Sequence, residues 1–104
     1  MHITINNKKY KVIDADSFIK KTKGLMFKKN IDYILRLRCN GIHTCFMREN
    51  IDIILTDKDN NIIGKHENLK KWRFLLPKKN VYYTYEFPKD TIKYIKDNKI
   101  KIED

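Results

Sequence analysis

Three glycines, two prolines, two cysteines and one tryptophan are spread over 104 residues, and Ala15 is the one alanine. Each scarcity excludes something. Two cysteines do not make a disulfide scaffold. There is no linker, repeat or low-complexity tract. No apolar run approaches the roughly 18 residues of a membrane span. No positively charged stretch followed by a short apolar run opens the chain, so no secretory signal is visible and a cytoplasmic location is expected. Gly-x-Ser-x-Gly, His-Glu-x-x-His and phosphate-loop patterns are all missing, so the chain carries no catalytic signature.

What remains is enough to build a core. Hydrophobic residues make up 41%, with six Tyr and five Phe among them, which excludes a disordered tail. A chain of this length carries one core, so residues 1–104 are expected to form a single domain. Lys and Arg outnumber Asp and Glu by 23 to 13, a net charge of +10. Nineteen of the 23 are Lys and four are Arg, whereas bidentate nucleic-acid contacts lean on Arg. Ile, Lys and Asn together supply 45 residues, the types AT-rich codons favour. A solvated surface coloured by codon bias is therefore preferred over a nucleic-acid patch. Such a surface still attracts RNA, DNA or acidic lipid weakly at low salt.

Alternation and turn residues predict the elements. Ile3–Ile5, the Asn6-Asn7 turn and Tyr10–Ile13 read as a hairpin. A short helix is expected from Ser17 to Lys23, capped by Asp16 or Ser17 and stopped by Gly24. Asp32–Cys39 and Ile42–Arg48 read as strands broken by Gly41. Ile51–Thr56, the polar turn Asp57–Asn61 and Ile62–Lys65 form the clearest hairpin. His66–Asn80 reads as a long structured loop, and Val81–Phe87 as an aromatic strand ended by Pro88. Asp90 is placed to cap a helical turn through Thr91, Ile92 and Ile95, and Lys99–Ile102 reads as a last short strand. The expected fold is mainly β (α+β): an antiparallel barrel-like or sandwich-like sheet of six to eight short strands with one or two short helices.

The chemistry-bearing residues fall in four places. Cys39, His43, Cys45 and Met47 are soft or borderline metal ligands, and alternation puts His43, Cys45 and Met47 on one strand face. Strand residues two apart lie nearly 7 Å from each other and no paired Cys-x-x-Cys exists, so a packed strand is preferred over a metal site. His43 and Cys45 could in principle form a base and nucleophile, but two residues apart on one strand face their reach is poor unless other groups intervene. Arg48, Glu49 and Asp52 sit at a strand bend, where the bland alternative to a charged pocket rim is a surface ion-pair cluster. Trp72 and Arg73 in the long loop suit an anionic or planar ligand. Glu86 alternates with Tyr85 and Phe87; facing inward, it needs a partner from among Arg36, Arg38, Arg48 and Arg73.

The stretch Ile42–Ile63, with His43, Thr44, Phe46, Met47, Arg48, Ile51, Asp52 and Asp57, resembles the "domain of unknown function 192" family of small bacterial and archaeal domains. Gly24-Leu25-Met26, Glu67-Asn68-Leu69 through Trp72-Arg73, and Glu86 with Pro88 extend the likeness from about Ala15 to the C-terminus. Glu49-Asn50 stand where the family often has Phe-Pro; Lys21 replaces an Arg, Asp90 a Gly, and Lys96–Lys99 a late Gly-Asp. The resemblance implies a small, mostly-β, barrel-like domain and a bacterial source. It carries over no catalytic residue and no cofactor. His43, Arg48, Asp52, Trp72, Arg73 and Glu86 come from separate segments, and convergence at one barrel end would make them a single site for a small anionic ligand. The alternatives are a metal or redox domain through His43, Cys45 and Met47, and a basic module for nucleic acid or a protein partner.

Overall fold

The computed structural model describes residues 1–14, 32–38, 40, 42–43, 50–70 and 74–104, with the backbone alone at 42, 43 and 74. Eight strands are seen: β1 His2–Ile5, β2 Lys8–Asp14, β3 Ile34–Leu37, β4 Ile42–His43, β5 Ile51–Thr56, β6 Ile62–Leu69, β7 Phe74–Leu75 and β8 Tyr83–Pro88. Six form one sheet in the order β1-β2-β3-β8-β5-β6, and β4 pairs with β7 in a separate ribbon. The first hairpin turns on Asn6 and Asn7, both at positive φ (50° and 67°). Asn tolerates that region well, and two such residues in succession match the twist of a two-residue hairpin.

The sheet is mixed, which corrects the antiparallel expectation. β2 and β3 run parallel, with Val12 opposite Ile34 and Asp14 opposite Arg36. Parallel neighbours cannot share a tight turn and need a crossover of a dozen or more residues, a length that residues 15–33 supply. The expected Ser17–Lys23 helix and the Gly24-Leu25-Met26 segment lie outside the described residues. The second expected helix is a single 3-10 turn, Ile92–Tyr94, with Thr91 rather than Asp90 at its N-cap. Asp90 takes a positive φ of 63°.

Several boundaries also move. Of the described residues of the Asp32–Cys39 strand, Ile34–Leu37 pair in the sheet. Of the Ile42–Arg48 strand, Ile42–His43 is described. The expected loop from His66 is strand as far as Leu69 and again at Phe74–Leu75. Periodicity failed at His66–Leu69 because β6 is an edge strand, where polar residues on both faces cost little. The expected last strand, Lys99–Ile102, is instead a strap of two isolated bridges, Asn61 with Lys99 and His2 with Glu103. The Ile62 N–H donates to the Asn98 carbonyl (2.8 Å) and the Ile100 N–H to the Asn60 carbonyl (2.9 Å). At the other end the His2 N–H donates to the Glu103 carbonyl (2.7 Å). The C-terminal segment thus joins β1 to the start of β6, the two outer strands of the sheet.

β5 is buried along all six residues because both sheet faces are covered. On one face Ile54, Tyr85, Phe87, Ile34 and Val12 pack with Ile3, Ile5, Ile92 and Ile100. On the other, Ile51, Ile53, Leu55, Leu35 and Leu37 pack with the partly buried Tyr33, Leu69, Leu75 and Val81. The β5–β6 turn is held by Asp57, whose carboxylate accepts the N–H groups of Asp59 and Asn61 (both 2.9 Å) and the Asn61 side-chain amide (3.0 Å).

Two outcomes test this architecture. Ile100, 3% exposed, locks the strap into the first core. Ile100→Ala should cost about 2–4 kcal/mol in urea unfolding, whereas Leu76→Ala, at a residue 77% exposed, should change stability by less than about 0.5 kcal/mol. The hydrogen bonds from Asn61 hold the Asp57 carboxyl below its ordinary value of 3.8. A depressed folded-state value means stabilisation present above 3.8 and lost as pH falls through the lower folded value. Thermal melts of Asp57→Asn against the native chain should therefore differ at neutral pH and converge in acid.

Candidate functional site

Pleating decides where the two described carboxylates of the expected site point. In register, Asp52 lies opposite Phe87, and Ile53 opposite Glu86. Successive residues of a strand face opposite sides, so Asp52 enters the Phe87 face and Glu86 the Ile53 face. The two carboxylates do not share a chamber.

Asp52 is fully buried, at 0% exposure. Its Oδ1 accepts the Asn68 backbone N–H (2.8 Å), and its Oδ2 accepts the N–H groups of Thr91 (2.9 Å) and Ile92 (3.0 Å). These three donors come from the end of β6 and the start of the 3-10 turn. Asn68, at a positive φ of 52°, also donates its side-chain amide to Asp90 Oδ1 (3.1 Å). The Thr91 hydroxyl donates to the Pro88 carbonyl (2.6 Å). Asp52 thus caps the turn from 39 residues away, the work that the sequence assigned to Asp90. The three hydrogen bonds it accepts from described residues all come from backbone N–H groups.

Glu86, 5% exposed, sits in register between Leu35 of β3 and Ile53 of β5. The partly buried Tyr33 packs on this same cluster. Burial raises the Tyr33 hydroxyl above its ordinary 10.0, and the negative charges of Glu86 and Asp32 raise it further. Over this face lies the β4–β7 ribbon, through Leu75. The ribbon register sets His43 opposite Phe74. His43 is therefore brought, by backbone pairing, beside the residue that follows Trp72-Arg73.

Arg48, Trp72 and Arg73 lie outside the described residues, as do Cys39, Cys45 and Met47 of the metal alternative. Among the described residues no group of three His, Cys, Asp or Glu side chains is placed to hold a metal. Of the four arginines weighed as partners for Glu86, two are engaged elsewhere. Arg36 makes a bidentate pair with Asp14, Nε to Oδ1 at 2.5 Å and Nη2 to Oδ2 at 2.8 Å, and that bond raises its guanidinium further above the ordinary range. Its strand neighbour across β8 is Tyr85, on the face opposite Glu86. The Arg38 guanidinium sits 5.0 Å from the Tyr82 ring centroid. Sequence reasoning assigned no role to Tyr33, Tyr82 or Tyr83. The closeness of Tyr82 and Tyr83 to β3 depends on the β3–β8 pairing, which no local pattern announces.

Pockets formed by described residues lie elsewhere. One of about 380 Å³ separates β6 from the 3-10 turn and is lined by Lys65, Glu67, Ile92, Lys93, Ile95 and Lys96. A second, about 130 Å³, lies under the C-terminal strap. Neither Asp52 nor Glu86 lines them. The structural role of Asp52 gives a direct test. Asp52→Ala leaves three N–H donors, two of them buried, without their acceptor and should cost about 3 kcal/mol in urea unfolding. Asp52→Asn, which keeps one acceptor oxygen, should cost less.

Known proteins add a family and a fold. The model of the DUF192 family (Uncharacterized ACR, COG1430) matches residues 1–103, further toward the N-terminus than the motifs from Ala15 onward. UPF0127 protein PH1112 of Pyrococcus horikoshii is 43% identical over 96 residues, covering 84% of this chain and 83% of that protein. UPF0127 protein PF1050 of Pyrococcus furiosus is 39% identical over 84 residues, 75% of this chain and 72% of that protein. The chain spans 54% of the length of UPF0127 protein TK1120 of Thermococcus kodakarensis, to which it is 38% identical. These relatives are archaeal, which weakens the expectation of a bacterial source. A crystal structure of a protein of unknown function from Novosphingobium aromaticivorans shares the fold at TM-score 0.78 and 14% identity, over 98% of this chain and 81% of that one. A proposed transcription regulator from Sinorhizobium meliloti does so at TM-score 0.79 and 15% identity, over 98% and 89%.

Proposed function

The chain belongs to the DUF192 family, and from that premise we propose that it is a single-domain, cytoplasmic ligand-binding or accessory protein whose polar site lies on the Glu86 face of the sheet. The observation that carries this reading is a nearly buried carboxylate on the one face that a separate two-stranded ribbon covers. A buried carboxylate amid Leu35, Ile53 and Tyr33 is retained at a cost in desolvation. Holding a cation in a fixed orientation is the use that justifies the cost. In this reading Glu86 orients Arg48 or Arg73, the guanidinium takes the anionic group of a small ligand, Trp72 covers it, and His43 contributes from the ribbon. Asp52 belongs to the scaffold and not to the ligand.

A planar or carboxylate-bearing anion suits that set, because a guanidinium offers paired donors in a fixed fork and an indole offers a flat apolar cover. The absence of any described helix long and apolar enough to cross a membrane is compatible with this role. Thermal melts of the purified chain against small carboxylates, nucleotides and inorganic phosphate test the reading. Binding to the native state raises the melting temperature by mass action, by several degrees at about a hundredfold excess over Kd. The shift should disappear in Arg48→Ala and shrink in Trp72→Ala. A screen in which no anion shifts the melt, or in which Arg48→Ala shifts as much as the native chain, rejects it.

A further inference from the structure

The excess of lysine follows from composition, but the arginines do not, and two of the four are stacked on tyrosines at one end of the sheet. The Arg38 guanidinium lies 5.0 Å from the centroid of Tyr82, and that of Arg36 lies 4.9 Å from the centroid of Tyr83. The two rings meet edge to face, with centroids 4.7 Å apart and planes at 83°. Arg36 lies in β3 and Arg38 just after it, Tyr83 opens β8 and Tyr82 just precedes it, so the cluster exists because these strands pair. Arg38 is exposed, and Tyr82 and Tyr83 are half-buried, Tyr83 being packed on the first core.

The neighbouring loop adds charge. Asn40, just past β3, donates its amide to the Lys78 carbonyl (2.7 Å) and accepts the Lys78 N–H (2.9 Å). That reciprocal pair pins the Lys78 backbone, and with it the exposed Lys79, beside the Arg38 end of the sheet, while the Lys78 ammonium reaches back over Gly64 of β6. Asp14 neutralises Arg36 alone, and the Asp57 carboxylate is turned into its own hairpin. Tyr82 itself is fixed by its N–H, which donates to the Thr56 carbonyl (2.8 Å).

We propose that Arg38, Tyr82 and Tyr83, with Lys79, form a binding platform for single-stranded nucleic acid. Flat π surfaces and guanidinium planes accept any base by stacking, and the Arg38 and Lys79 charges attract the phosphates. A duplex buries its base faces and cannot use the stacking surfaces, so charge alone would not tell the strands apart. This platform is independent of the Glu86 site, which faces the ribbon.

Fluorescence anisotropy with labelled oligothymidylate and oligouridylate of about 12 nucleotides tests the proposal. Tyr82→Ala and Arg38→Ala should each weaken binding about tenfold. Tyr82→Phe should retain it. Lys96→Ala, which removes one charge from the pocket between β6 and the 3-10 turn, should leave it nearly unchanged. The logarithm of affinity should fall with log salt by about 0.7 per phosphate engaged. Should Tyr82→Ala lose the native fold, Arg38→Gln at an exposed position carries the same test. Equal loss in Lys96→Ala, a matched duplex bound as tightly as the single strand, or no binding at low salt overturns the proposal. The two oligonucleotides separate RNA from DNA as the preferred strand.

Discussion

One buried carboxylate holds together parts of the chain that no turn connects. Asp52 accepts backbone N–H groups from Asn68, Thr91 and Ile92 while itself lying in the central strand. The end of β6 and the start of the 3-10 turn are both irregular, with positive φ at Asn68 and Asp90. Irregular backbone leaves N–H groups that no sheet ladder can satisfy, and buried ones must find an acceptor. A carboxylate offers several lone pairs in one place and bonds such donors more strongly than a neutral group does. The position of Ile92 in the first core, and so of the strap that follows it, depends on this interaction.

The sheet also separates two roles that a sequence cannot separate. Asp52 and Glu86 are both buried acids in apolar strands, and both stand in motifs that resemble the family pattern. Pleating sends one to the face closed by the N-terminal hairpin and the C-terminal strap. It sends the other to the face under the β4–β7 ribbon. The first is satisfied by backbone donors at 2.8–3.0 Å, which makes it structural. The second lies in register between Leu35 and Ile53.

The arginine–tyrosine cluster illustrates a third level. Arg36 has two obligations, a bidentate pair with Asp14 and a place over Tyr83. Asp14 reaches it because β2 and β3 are parallel, and Tyr83 reaches it because β3 and β8 are antiparallel. A single strand order therefore builds both an ion pair and a stacked surface. Tyr85, on the same face, is held by burial above its ordinary 10.0 even though Arg36 opposes that shift. Its hydroxyl donates to Asn60 in the β5–β6 turn (2.6 Å).

The sequence alone determined what local physics controls. The Asn6-Asn7 hairpin, the Ile51–Thr56 strand, the Asp57 turn and the aromatic strand ending at Pro88 were legible, because alternation and turn chemistry act over a few residues. Family membership was legible too, from His43, Met47, Arg48 and Asp52 in combination. Tertiary structure alone decided the parallel joint between β2 and β3, the strand character of His66–Leu69, and the strap that replaces a last strand. Edge strands need no hydrophobic period, and a parallel pairing leaves no turn to read. The division of the candidate site was hidden for a related reason. Whether Asp52 caps a turn or lines a pocket depends on which backbone N–H groups arrive from 16 and 39 residues away, and no spacing in the chain records that meeting.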